Sequence, residues 1–248
     1  MTEIYHYPYI GNDLRSASHI EKASEIISLE PDPLFKDVVK HRTNETEFVR
    51  CPCVRDYCKD TFIVRSPLDI DFQVTGEGEK RSIKTFQYNQ DWFDRVITPR
   101  FDESINTNLM SLDVASMLLW SKSDFDIEIT PCVFHGHVDF VRNTQIIPGT
   151  FSPSKWTRPI QATFEVLTDD VIKVKRGDPL YYVKFKTKSR SKIKFTKATP
   201  PDSLVDAVEG CIRVKYYIPG LSMKQNYELF APYLKAYKKS FFKKLFKK

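Results

Sequence analysis

From Ile146 to Phe185 the chain spells out short β-strands together with the turns between them, and this restricts its fold more than any other stretch. Ile146-Ile147-Pro148-Gly149 closes one apolar run, Arg158-Pro159 opens another, and Arg176-Gly177-Asp178-Pro179 separates two runs whose apolar residues alternate. In the first of these, Ile172 and Val174 oppose Val171, Lys173 and Lys175. After the turn, Tyr181, Val183 and Phe185 oppose Leu180, Tyr182, Lys184 and Lys186, which predicts a strand half-buried on one side. Upstream, Ile160, Ala162, Phe164 and Val166 share a face opposite Gln161, Thr163 and Glu165. Ile160–Val166, Val171–Lys175 and Leu180–Lys186 are therefore expected as neighbouring antiparallel strands, with Gly177 supplying positive φ in the connecting turn. Arg176-Gly177-Asp178 also spells an adhesion tripeptide, but a tight turn is the simpler reading.

Other segments follow the same logic. Thr61–Val64 reads as a strand, Ile70, Phe72 and Val74 alternate with polar neighbours, and Thr75-Gly76-Glu77-Gly78-Glu79 reads as a hairpin loop. Phe125, Ile127 and Ile129 alternate in turn, and Val133–Phe140 is read as the next strand. Cys51–Cys58 is a short loop or helix turn. Residues 13–28 have helical spacing and stop before Glu30-Pro31-Asp32-Pro33, since proline cannot continue a helix. The expected fold is mainly β: an antiparallel β-sandwich or β-clip-like sheet core with a few peripheral helices and a C-terminal amphipathic helix. The expected organisation is an N-terminal helical or irregular extension over 1–50, a β-rich core over 51–220 and a basic aromatic helix over 221–248.

Charge is concentrated in the tail. Of a net +6, residues 229–248 carry +7 through seven lysines and no acid, so the preceding 228 residues carry −1. The overall basicity thus implies no general nucleic-acid-binding body, although Lys184–Lys197 forms a local basic run. Tyr233, Tyr237, Phe241 and Leu245 follow helical spacing, leaving Lys238, Lys239, Lys243, Lys244, Lys247 and Lys248 as candidate partner-binding residues for a protein or for an anionic surface such as nucleic acid or membrane. Five cysteines, an odd number, and no apolar stretch long enough for a signal peptide or a membrane span lead us to expect reduced thiols and a cytoplasmic or cytoplasmically assembled product.

Two clusters have metal-ligand character. Cys51 and Cys53 with Cys58 offer three soft ligands, and His41 or Cys132 would have to complete a tetrahedral zinc site, because the second short pair is missing. His135, His137 and Asp139 include the His-x-Asp form that supplies two ligands of a facial-triad iron site. The third ligand there is a distal histidine, normally downstream, and none follows His137. The reading favours incidental or buried thiols in the first cluster and a polar strand edge in the second. No nucleophile elbow, phosphate-cradling glycine loop or zinc-protease helix occurs in the chain, so enzymes built on those devices are excluded and no cofactor is called for.

Two resemblances rest on the same segments. Cys51-Pro52, Asp56, Thr61-Phe62, Ser66-Pro67 and Asp69, followed by Ile147, Gly149, Trp156, Arg158-Pro159-Ile160, Lys175-Arg176-Gly177-Asp178-Pro179 and Phe185, resemble a family of tailed-bacteriophage and bacterial proteins of unknown function over about half the chain. These are turn and core residues and imply fold rather than activity. Ile147-Pro148-Gly149, Pro159-Ile160 and the Gly177 turn are similar to the sheet core of trimeric dUTPases and dCTP deaminases. Where those nucleotide hydrolases place a carboxylate before the turn, this chain has Ile147-Pro148. Their serine-bearing phosphate motif and glycine-rich arm have no counterpart in it. The resemblances imply a non-enzymatic phage-type protein of the host cytoplasm or virion that binds a partner, as a virion or host-interaction component. The alternative is a divergent nucleotide-binding or nucleotide-hydrolysing relative of the dUTPase class.

Overall fold

A computed structural model describes residues 2–8, 29–41, 46–76, 81–99, 108–155, 158–188, 192–217 and 225. Among them the strands are β1 (Thr2–Pro8), β2 (Asp32–Pro33), β3 (Thr61–Arg65), β4 (Ile70–Thr75), β5 (Ser82–Thr85), β6 (Ile97–Pro99), β7 (Leu109–Leu112) and β8 (Met117–Trp120). They continue as β9 (Phe125–Thr130), β10 (Thr144–Ile146), β11 (Gly149–Phe151), β12 (Thr163–Val166), β13 (Ile172–Val174), β14 (Pro179–Thr187) and β15 (Ile193–Lys197). The chain is mainly β, with short helices at the periphery and a longer one over Asp202–Tyr217. No described helix is long and apolar enough to cross a membrane.

The strands form four sheets, in the orders β15-β1-β8, β10-β12-β7-β6, β11-β9-β14-β3-β2 and β13-β4-β5. Every described strand pairing is antiparallel except β1 with β15. A single apolar cluster draws on all four sheets, including Ile4, Phe72, Phe164 and Val183. This sandwich-like packing is what alternation produces when each sheet must bury one apolar face.

The three runs around Gly177 contain strands with the faces anticipated, the first only over Thr163–Val166, with Ile160 in an isolated bridge to Met117. Ile172, Val174, Val183 and Phe185 are all buried, and Gly177 has φ of +91°. They are not neighbours, however. β12 lies between β10 and β7, β13 pairs with β4, and β14 runs between β9 and β3. The turn before β14 is clamped by a different segment: Gly177 N–H donates to Ser66 O at 2.8 Å, Ser66 N–H to Asp178 O at 2.8 Å, and Arg176 N–H to Asp69 Oδ1 at 2.6 Å. The Arg176 guanidinium also donates to Pro67 O, so the Arg-Gly-Asp tripeptide serves as an internal corner.

Strand β14 is also buried on both faces, correcting the half-buried expectation. Tyr181, Val183 and Phe185 enter the main core, while Tyr182 enters a second cluster with Leu34, Val38, Cys58, Ile63 and Cys132. The helices Leu34–His41 and Pro52–Cys58 cover that second face. The segment expected as an N-terminal extension over 1–50 supplies β1, whose Ile4 is wholly buried, and the helix that carries Leu34 and Val38. Val133–Phe140 is not a strand: two tight turns occupy Pro131–Val138, and a helix follows over Asp139–Asn143. Pro131 and Gly136 break the extended run that Val133, Phe134 and Val138 suggest. The hairpin at Gly76 is present as the antiparallel pair β4–β5. The expected helix over 13–28 and the C-terminal helix over 221–248 lie outside the described residues, apart from Gln225 in helical conformation.

Candidate functional site

Under the second face of the five-stranded sheet, four polar side chains from distant segments interlock. The helix Leu34–His41 buries Leu34 and Val38 one turn apart, which turns Asp37 toward the sheet edge. Arg65, at the end of β3, donates from Nη2 to Asp37 Oδ1 at 2.5 Å, from Nε to Asp32 Oδ2 at 3.1 Å and from Nη1 to Gly177 O at 2.9 Å. His135 places Nε2 at 2.8 Å from Asp37 Oδ2 and Nδ1 at 2.6 Å from Tyr182 Oη. Phe134 N–H donates to the same Tyr182 oxygen at 3.3 Å.

One protonation pattern satisfies every group. Tyr182 accepts from Phe134 and donates its hydroxyl to His135 Nδ1, which leaves the proton on Nε2 to be donated to Asp37. Burial lowers the His135 pKa and keeps the ring neutral, against the opposing pull of Asp37. Burial alone would raise the Asp37 carboxyl, but the His135 hydrogen bond and the Arg65 charge outweigh it and the pKa is lowered. An imidazole between a carboxylate and a hydroxyl has the layout of a proton relay. Here the hydroxyl is closed off, because Tyr182 is wholly buried and burial pushes its pKa far up. These bonds clamp the Pro131–Val138 turn and the Leu34–His41 helix onto β3 and β14.

The residues singled out from sequence scatter around this clamp. His135 is inside it, whereas His137 is exposed, its ring centroid 5.9 Å from that of His135. Asp139 spends both oxygens locally, Oδ1 accepting from Asn143 Nδ2 at 2.9 Å and Oδ2 from Lys173 N–H at 2.8 Å. His137 and Asp139 are therefore not a ligand pair on a strand face. Cys51 and Cys53 stand at the start of the Pro52–Cys58 helix and Cys58 at its end, separated by about 7–11 Å of helix rise. Cys58 is buried in the cluster with Cys132. Among the described residues no three histidines, cysteines or carboxylates are grouped to hold a metal. In the basic run, Lys186 pairs with Glu128 at 2.9 Å, Lys194 with Glu3 at 3.7 Å, and Lys184 donates to Asp56 O at 3.2 Å. The tail lysines Lys238, Lys239, Lys243, Lys244, Lys247 and Lys248 lie outside the described residues.

Two cavities flank the clamp. One, of about 180 Å³, is lined on the far side of the same turn by Cys132, Val141, Ile146, Phe164 and Leu180, with Gln145 and Gly136 toward solvent. The other, of about 30 Å³, is lined by His6, Arg65 and Ser116 among others. In it His6 Nε2 and Ser116 Oγ are buried without a hydrogen-bonding partner among the described residues, and the nearest Glu30 carboxylate oxygen is 3.9 Å from His6 Nε2. Asp37, Arg65 and Tyr182 were not anticipated from sequence. The one signal was a tyrosine on the second face of a strand, a side chain whose hydroxyl needs a partner when buried.

Comparison with protein-family models, curated proteins and solved structures finds no match to this chain.

Proposed function

We propose that the chain is a non-enzymatic binding protein of the phage type, a virion or host-interaction component that recognises its partner on the face made by the Pro131–Val138 turn and β10. The observation that carries this is how the chemically capable groups of that face are used. Both ring nitrogens of His135 and both oxygens of Asp139 are engaged in bonds that fix the backbone. Beside them the surface exposes Val133 at 61%, on the lining of a concavity, and Ile147 at 43%. A rigid, locally apolar face next to a concavity suits association better than bond-making. The tail lysines extend the same reading to an anionic partner, since residues 229–248 carry +7.

The test compares wild type with Val133→Asp and Ile147→Asp for co-purification with virus particles or a host protein. The reading expects association that either aspartate abolishes while folding is retained. Turnover of dUTP or dCTP with magnesium by the purified protein would overturn it in favour of the nucleotide-hydrolase alternative.

A further inference from the structure

We infer that His135 is an acid-released latch: on taking up a second proton, at Nδ1, it lets go of Tyr182 and frees the Pro131–Val138 turn while the sheets behind the turn stay folded. The proton inventory of the site carries this. Tyr182 is wholly buried, and among the described residues its hydroxyl has one acceptor, His135 Nδ1 at 2.6 Å. The same oxygen already accepts from Phe134 N–H at 3.3 Å. A neutral imidazole completes the set, since it accepts at Nδ1 and donates from Nε2 to Asp37. An imidazolium cannot, because both of its nitrogens donate. Two hydrogens then meet along the 2.6 Å line, and the buried Tyr182 proton is left without an acceptor.

The groups around the ring decide which bond gives way. Asp37 faces it from the Leu34–His41 helix and is held in turn by Arg65 of β3, whose guanidinium also binds Asp32. Tyr182 faces it from β14, Tyr57 and Cys58 of the Pro52–Cys58 helix lie in the same cluster, and Cys132 and the exposed His137 belong to the turn itself. A cationic ring is attracted to the Asp37 carboxylate, so Nε2 keeps its partner and the conflict falls on Tyr182. Burial opposes the charge, with Arg65 and His137 adding to it against the pull of Asp37, so the closed turn holds the ring below its ordinary 6.5. An open turn binds the proton more tightly than a closed one, and acid therefore favours opening.

The turn is joined in a way that lets it move by itself. Val133 N–H donates to Pro131 O at 3.0 Å, His135 N–H to Cys132 O at 2.9 Å and Val138 N–H to His135 O at 2.9 Å, all within the turn. Its hydrogen bonds to β14 and to the Leu34–His41 helix are those of Phe134 N–H and the His135 ring. Breaking the pair at Tyr182 disturbs no strand ladder, because β14 keeps its pairings with β3 and β9. Val133, 61% exposed, rides on the turn, so acid alters the surface presented there. The latch stands whether or not a partner docks on that surface.

The experiment follows amide hydrogen exchange and the His135 ring resonances of the full chain by NMR from about pH 7.5 to about pH 5, with the intrinsic pH dependence of exchange divided out. Protection at Phe134, His135 and Val138 should fall as the pH drops below 6.5, by up to about tenfold per pH unit, while Val183 and Ile129 in the strands behind keep theirs. His135→Gln should make protection of the turn independent of pH. Tyr182→Phe should lower it at Phe134 already at about pH 7.5, and His137→Ala should leave the wild-type step in place. A His135 ring that stays neutral throughout, or a turn whose protection is constant while the ring titrates, overturns the inference. Equal loss at Val183 and Ile129 is global unfolding and overturns it too, as does a step that vanishes in His137→Ala. If His135→Gln does not fold, the wild-type comparison of turn with strand amides decides alone.

Discussion

Asp37 and His135 lie 98 residues apart in the chain and meet through a 2.8 Å hydrogen bond between carboxylate and imidazole. The bond joins a helix on one side of the five-stranded sheet to a turn that leaves its central strands, and Arg65 holds the carboxylate from the other side. Removing the carboxylate leaves the Arg65 charge without its buried partner. Asp37→Ala is expected to lower stability by about 3–5 kcal/mol, and Tyr182→Phe, which deletes one hydroxyl, by about 1–3 kcal/mol. Urea unfolding of both variants checks the order; equal losses would show that the charge contributes nothing beyond hydrogen bonding.

Acidification should destabilise the protein in two stages. Burial places both His6 and His135 below their ordinary 6.5, so the folded state holds them neutral where the unfolded chain takes up protons. Their contribution is complete above 6.5 and is lost as pH falls from there toward the lowered values. Asp37, lowered from 3.8, adds a second loss of the same sign as pH falls below that value. Urea midpoints measured from about pH 7.5 down to about pH 5 should decrease, and His6→Phe or His135→Phe should flatten the profile.

Two glycines with open space around them should respond in opposite directions to alanine. Gly177 has φ of +91°, so Gly177→Ala is strained by its backbone alone and should lower stability by about 1 kcal/mol or more. Gly136 is free of that constraint, so Gly136→Ala should be neutral or stabilising by about 0.4–1 kcal/mol through the unfolded chain. Thermal unfolding of the pair distinguishes conformation from packing as the cause.

The thiols should divide into two reactivity classes. Cys53 is exposed, and hydrogen bonds from the Cys53 and Val54 backbone lower the pKa of the half-buried Cys51. Burial pushes Cys58 up to about 11 and Cys132 well above its ordinary value. Iodoacetamide followed by mass spectrometry should label Cys51 and Cys53 in the native protein, and Cys58, Cys132 and Cys211 only in urea.

Ser116 offers a test of a buried hydroxyl that has no protein partner among the described residues. Ser116→Ala removes the desolvated group and should be neutral or stabilising, by up to about 1 kcal/mol. A loss larger than that, measured by chemical denaturation, would show that the hydroxyl is satisfied by water in the cavity it shares with His6.

Local patterning made the strand faces readable, because alternation at Ile172, Val174, Val183 and Phe185 leaves those side chains only an inward orientation. It could not supply strand partners. Successive strands on either side of Gly177 entered different sheets because Ser66 and Asp69, more than a hundred residues earlier, capture the turn between them. The site shows the same limit. His135 stands out in the sequence through its proximity to His137 and Asp139, yet its bonds go to Asp37 and Tyr182. Tyr182 reads as one more apolar residue in an alternating strand, and Arg65 as the polar end of another; only the fold brings their polar atoms together.

The parallel pairing of β1 with β15, in which Thr2 faces Ile193 and His6 faces Lys197, imposes an order on synthesis. A ribosome adding about 5–20 residues per second needs roughly 10–40 s to travel from one strand to the other, and β8 can occupy only one side of β1 meanwhile. For that interval the other edge of β1 carries unpaired backbone groups beside Ile4, a side chain wholly buried in the finished molecule. The nascent chain thus passes through a stage in which that edge of β1 is open. Arrival of Ile193–Lys197 closes that edge and so shields β1 from neighbouring chains on the same polysome.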